Sequence, residues 1–160
     1  MKRIHMPRKP ARGWLGLVCC AALLAAPAAH AQFAMVPAPL VQGPPRASAA
    51  EIEAEYRIDA ARHVYAAFAP RIYRGKLPPL LYGIMMVETE LDAAGQVLNV
   101  HVVRRPAADE VAPWVMAMVK RAAPYPAPAA LPGARVRFTE TWFVDKSGQF
   151  QLFSLTEGQR

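Results

Sequence analysis

The sequence predicts an α+β protein in which a small antiparallel sheet of three to four strands packs against two helices in two layers. Two segments carry apolar residues at helical spacing, and three others are β-rich or alternate apolar with polar residues. Asp-x-x-Gly occurs at 92–95 and again at 145–148. Because Asp caps turn amides and Gly adopts positive φ without strain, both copies indicate tight turns between strands.

The first 31 residues have the three parts of a cleavable secretory signal. Five basic residues and no acidic residue lie in 1–12, an apolar run of 13 residues follows from Trp14 to Ala26, and Ala29 and Ala31 form a small-x-small site. We expect cleavage before Gln32 and release into the periplasm. A membrane span takes about 20 apolar residues, so a retained anchor is the less favoured interpretation. A lipoprotein modified at Cys19 or Cys20 is another.

Charge and cysteine content change once this signal is set aside. The whole chain has a formal charge of +7, but five of its basic residues precede Gln32, which leaves +2 on about 129 residues. This balance gives no reason to expect a nucleic-acid partner. Both cysteines lie in the signal. The predicted mature chain therefore has no disulfide, no thiolate nucleophile and no cysteine-ligated metal.

Residues 32–47 contain four prolines and little charge, which predicts an extended tether; an ordered arm packed on the domain is the alternative. The folded domain is expected over 48–160. Ser48 and Glu51 have the spacing of a capping box, which predicts a helix from there to about Ala69. Its apolar stripe comprises Ile52, Tyr56, Ala60, Val64 and Phe68.

The period changes to two after Leu80, and a second strand is expected over 97–104. Met85, Val87, Thr89 and Leu91 share the buried face of the first strand, and Glu88 and Glu90 share the other. Tyr82, Ile84 and Met86 also fall on that other face. We expect the first helix to cover these three side chains, or else a second chain to do so.

A second helix is predicted from Glu110 to Ala123, capped by Asp109. The third strand, 135–144, places Glu140 on the same face as its apolar residues, which suggests a bulge or a paired carboxylate. Gln149 to Leu155 closes the sheet.

No constellation of catalytic residues is evident in the sequence. His63 and His101 belong to no metal-ligand spacing, so we predict neither a metal site nor a cofactor. Glu88 and Glu90 lie about 7 Å apart along one strand, a pairing that a small hydrolase or ligand carrier could use. A solvated charged face is the stronger interpretation. The basic connector at 71–76 could contact an acidic partner, but such loops are usually only solvated.

The order of these elements resembles the TonB/TolA C-terminal domain. The resemblance covers roughly residues 70–145, and its most specific stretches are Thr89 to Val100 and the Pro-rich exit at 122–128. It implies a periplasmic domain that contacts outer-membrane receptors by pairing its sheet edge with an extended segment. TonB proteins retain an N-terminal anchor and a long linker, whereas this chain has a predicted cleavage site and a short Pro-rich segment.

The sequence therefore predicts a freestanding, non-enzymatic periplasmic module with no stable membrane span after cleavage. Its partner would be an envelope or outer-membrane protein, bound at the edge formed by the last strand. The residues predicted for that edge are Gln149, Phe150, Gln151, Leu152 and Phe153. An anchored energy transducer, with the N-terminal segment retained, is the second hypothesis, and the hydrolase or carrier at Glu88 and Glu90 is the third.

Overall fold

A computed structural model describes residues 31–41, 43–133 and 135–159. It confirms the predicted α+β class. The elements are α1 (Ala31–Ala34), α2 (Glu53–Ala67), β1 (Gly83–Asp92), β2 (Val97–Arg104), α3 (Val111–Arg121), β3 (Arg135–Val144) and β4 (Phe150–Leu152). Within the described ranges, no helix has the length and apolar character that a membrane crossing requires. The predicted signal lies outside the described residues except for Ala31, which begins α1.

The four strands form one antiparallel sheet in the order β2-β1-β3-β4. Both Asp-x-x-Gly segments are the predicted turns, since Asp92 Oδ1 accepts hydrogen bonds from the amides of Ala94 and Gln96 at 2.9 Å each. Gly95 has φ +77, and a Cβ there would lie 2.0 Å from the Tyr125 carbonyl oxygen. Only glycine therefore allows the segment after α3 to close over this hairpin.

Both long helices pack on one face of the sheet. The predicted inward residues of β1, including Met85 and Leu91, are fully buried there. The ring of Tyr56 in α2 packs edge-on against Phe138 in β3, at 5.8 Å between centroids. The core that results is continuous from α2 to α3 and comprises mainly aromatic and aliphatic side chains, among them Trp114, Val115, Met118, Tyr125, Trp142 and Phe150.

The predicted start of the first helix is wrong. The helix begins at Glu53 after Ile52, and the Ser48 hydroxyl donates instead to Asp59 at 2.7 Å. The Ser48 oxygen also accepts the amide of Ala50, and its own amide donates to the Ala127 carbonyl. The N-terminal end of a helix offers only N–H donors, so the Ser48 hydroxyl proton goes to the Asp59 carboxylate. Ser48 therefore anchors the segment that leads into α2 rather than capping the helix.

The first helix does not cover Tyr82, Ile84 and Met86. Since α2 lies on the opposite face of the sheet, Ile84 and Met86 remain half-exposed on the face that carries Glu88 and Glu90. Tyr82 has other contacts. Its hydroxyl donates a hydrogen bond to Glu110, and its ring stacks on that of Phe33 with 5.4 Å between centroids.

The Pro-rich segment that precedes α2 contacts the domain at several points, as a packed arm does. Phe33 is 6% exposed and lies edge-on to Trp114, with ring centroids 5.2 Å apart. Arg121 donates to the Val36 carbonyl, and the Leu40 amide donates to the Ala67 carbonyl at 2.7 Å. From Phe33 onward the segment therefore crosses α3 and α2 rather than extending as a free tether.

Replacing Phe33 by Ala should lower the free energy of unfolding by about 3 kcal/mol, since it empties a site between two aromatic rings. Met35→Ala is the matched control, because Met35 lies in the same arm and is 76% exposed. Urea denaturation measures both. Equal midpoints for the two variants would show that the arm contributes nothing to folding stability.

Candidate functional site

The predicted binding edge on β4 is already occupied by the chain itself. Ile72 forms a parallel bridge with Phe150, and the Tyr73 amide donates to the Phe150 carbonyl at 2.9 Å. The Leu152 amide, which also points away from β3, donates to the Tyr65 hydroxyl at 3.1 Å. These outward main-chain groups of β4 are therefore not available to another strand.

Gln151 holds this covering segment in place. Its side-chain amide donates to the carbonyls of Tyr73 and Gly75 at 2.8 and 2.7 Å, and its Oε1 accepts the Thr156 hydroxyl at 2.8 Å. The residue is 1% exposed. The prediction that Gln149 to Phe153 form the binding edge is thus wrong, because a segment nearly 80 residues earlier pairs there. Of these five residues only Phe153 is well exposed, at 57%.

The opposite edge, on β2, has no neighbouring strand within the described part of the chain, but it is irregular. Its register against β1 shifts between Met86 and Val87 and again between Glu90 and Leu91. The extra residues in β2 are Val103 and Leu98, which are 50% and 48% exposed. Bulges twist an edge strand and interrupt its row of main-chain groups. This edge therefore offers only a short regular stretch to a partner.

The first half of β3 is the regular edge that remains. The ladder between β1 and β3 runs through ten pairs without a shift, but β4 pairs only with Trp142, Phe143 and Val144. The main-chain groups of Phe150 and Leu152 point away from β3. The residue between them, Gln151, therefore exchanges main-chain hydrogen bonds with its partner Phe143 in β3. Alternation along β3 then directs the main-chain groups of Thr139 and Arg137 to the side that no described strand occupies.

A buried carboxylate marks the point where this edge opens. Glu140 is 6% exposed, and its Oε1 accepts the amides of Thr141 and Ser154 at 2.9 and 3.3 Å. The ladder with β1 has no bulge, so of the two predicted alternatives the bulge is wrong, and Oε1 of the carboxylate is paired with backbone amides. Glu140 thereby occupies the outward amide of Thr141 and holds the chain that leaves the sheet after β4.

Burial raises the pKa of Glu140, while the Ser154 hydroxyl, the two amides and the Arg57 charge oppose that shift. Arg57 and Glu140 both line a surface pocket of about 250 Å³ beside Thr139. Among the residues that the structure describes, neither Arg57 Nε nor Glu140 Oε2 has a hydrogen-bond partner, although both atoms are buried. A buried donor and a buried acceptor left without partners each destabilise a folded protein.

Glu88 and Glu90 lie on the same exposed face of β1, as predicted, and each faces arginine side chains of β3. Arg137 lies 3.8 Å from Glu88 and 3.5 Å from Glu90, and Arg135 lies 3.8 Å from Glu90. This arrangement is a cross-strand ladder of opposite charges. A pair of hydrolytic carboxylates instead acts on a substrate held between them, whereas Glu88 and Glu90 lie side by side on one strand and face arginine side chains of the next.

The two histidines predicted to be ordinary residues lie on different elements, His63 on α2 and His101 on β2. His63 Nε2 donates to the Ala122 carbonyl at 2.7 Å and its ring packs near Tyr125, so it joins α2 to the end of α3. His101 is exposed on β2. No group of three or more His, Cys, Asp or Glu side chains within the described ranges could hold a metal ion.

Comparison of this chain with protein-family models, with curated proteins and with solved structures gave no match. The resemblance to the TonB/TolA C-terminal domain therefore stays a prediction from the sequence. The candidate site rests on the geometry of the β3 edge alone.

Replacing Glu140 by Gln should remove the part of the pH dependence of folding stability that arises from ionisation of this buried carboxyl. Because its pKa is raised in the folded state, this carboxyl stabilises the fold when protonated, and that contribution falls as pH rises from about 4.5 through the folded-state pKa. Urea denaturation between about pH 4 and 8 should show the wild type losing stability relative to Glu140→Gln.

Glu140→Ala is the comparison variant, because it removes the acceptor of both amides as well as the charge. We expect it to be less stable than Glu140→Gln by about 2 kcal/mol at every pH, because neither variant has a titrating group at position 140. A difference between wild type and Glu140→Gln that stayed constant with pH would contradict the assignment of a raised pKa.

Proposed function

We propose that this protein is a non-enzymatic, exported module that binds an extended segment of an envelope protein in the periplasm. The segment would add as a fifth strand beside the first half of β3, from Arg135 to Thr139. The observation that carries this proposal is the unpaired, regular stretch of β3, with main-chain groups of Thr139 and Arg137 directed outward.

The proposal commits to this edge because the other two are less suited. The β4 edge is covered by residues 72–75, and the β2 edge has two bulges. Pairing over about five residues gives few hydrogen bonds, so binding should be reversible and its specificity should depend on side-chain contacts. Thr139 and Arg57 line the pocket that such a segment would meet at the closed end of the edge.

The packed arm supports a freestanding module over the anchored transducer. Only six residues separate Ala26, the end of the apolar run, from Phe33, which packs on the domain. Fully extended, six residues span about 20 Å. If the N-terminal segment were retained as an anchor, the domain would stay close to that membrane and would have little reach toward an outer-membrane receptor.

A photoreactive residue introduced at position 137 in cells should cross-link to the partner, and Thr139→Pro should abolish that product. Proline removes the outward amide of Thr139, which β1 does not use, so the fold should be retained. Thr139→Ala is the matched control, because it loses the same side chain and keeps the amide. Mass spectrometry of the cross-linked product identifies the partner, and urea midpoints check folding.

Equal cross-linking by Thr139→Pro and Thr139→Ala would reject strand addition at β3. A product formed from position 99 on β2, and not from position 137, would move the binding edge to the other side of the sheet.

A further inference from the structure

One end of the sheet brings an exposed apolar loop together with the turn between β3 and β4. Gly83 pairs with Val144, so the loop that enters β1 lies beside the turn at 145–148. Together they line a surface hollow of about 350 Å³. Its lining residues are Pro78, Leu80, Leu81, Tyr82, Asp145 and Lys146.

Leu80 is 88% exposed, more than any other large apolar side chain of the described residues. Two prolines precede it and restrict the backbone of the loop. Leu81 and Tyr82 beside it are half-buried, so the loop presents a continuous apolar strip with Leu80 at its tip. A loop held in this way keeps a leucine in water, which is unfavourable unless another surface covers it.

Cations surround the same end. Arg104 pairs with Met86 near the start of β1, Arg105 follows it, and both side chains are exposed. Lys146 is exposed in the turn, and the Arg71 guanidinium lies against Gly148. The ion pairs found among the described residues join Asp59, Glu88 and Glu90 to Arg62, Arg135 and Arg137, so none of them neutralises the four cations at this end.

The N-terminal arm also starts here. Gln32 lies close to Gly148, where a Cβ would be 3.6 Å from the Gln32 Cβ. The chain that precedes Gln32, with its apolar run from Trp14 to Ala26, therefore joins the domain at this end.

We propose that this end of the domain, defined by Leu80, Arg71, Arg104, Arg105 and Lys146, binds an anionic phospholipid surface. Leu80 would insert among the acyl chains, and the cations would contact headgroup phosphates. An anionic polymer would need only the cations and would leave Leu80 in water, so the exposure of Leu80 favours lipid. The open half of β3 lies at the other end of the sheet, because Arg135 pairs with Asp92, and both surfaces can be occupied at once.

Vesicle flotation tests this proposal on the protein as isolated from cells, with its N-terminus established by intact mass. We expect binding to vesicles that contain phosphatidylglycerol, little binding to pure phosphatidylcholine, and loss of binding at high salt. Leu80→Asn should weaken binding about tenfold. Arg104→Gln and Arg105→Gln should each weaken it about fivefold.

Leu98→Asn is the matched control, because Leu98 is 48% exposed at the far end of β2 and should leave vesicle binding unchanged. Since all variants share the same N-terminus, any contribution of the preceding chain cancels in the comparison. Equal binding of wild type and Leu80→Asn, equal weakening by Leu98→Asn, or no preference for phosphatidylglycerol would each overturn the proposal. Vesicles contain no protein, so this outcome is independent of strand addition at β3.

Discussion

The buried carboxylate of Glu140 determines where the sheet is closed and where it is open. Its Oε1 accepts hydrogen bonds from the amides of Thr141 and Ser154. The Thr141 amide lies just beyond the three residues of β3 that pair with β4, and the bond from Ser154 directs the chain out of the sheet after Leu152. Keeping a charge in that position costs desolvation energy, as its raised pKa indicates. An apolar residue at 140 would instead leave two partly buried amides without this acceptor. The open half of β3 follows from this one interaction.

The parts of the fold that the sequence predicts are those specified by neighbouring residues. The alternation through Met85 and Leu91 defines the buried face of β1, and each Asp-x-x-Gly turn is stabilised by its own side chain and glycine. Where the position of a residue depends on a partner distant in the sequence, the local sequence pattern does not predict it. Ser48 has the spacing of a helix cap but bonds Asp59. Phe33 lies in a Pro-rich segment that predicts a tether, yet it packs between Tyr82 and Trp114.

The candidate site, too, is predictable from the sequence only in part. A sheet with an available edge is predictable from three strands and two turns, but the identity of that edge is not. The last strand of a chain is a reasonable choice, and here it is wrong because Gln151 binds the carbonyls of Tyr73 and Gly75, whose sequence shows no strand pattern. In the sequence, Glu140 is the residue that points to this site, because a carboxylate on an apolar strand face requires hydrogen-bond donors nearby. Only the structure identifies those donors as the amides of Thr141 in β3 and Ser154 just after β4.

The two surfaces proposed here give the domain an orientation. The strands run between an end that carries Leu80 with the exposed cations and an end where Arg135 begins the open half of β3. A domain that rests on a lipid surface through the first end holds the second end away from it. An extended segment adding to β3 would then approach from the aqueous side, with its main-chain groups paired and no competition from headgroups. The bulges of β2 and the covered edge of β4 leave the first half of β3 as the regular edge. The proposed orientation on the membrane and the proposed edge therefore support the same mode of binding.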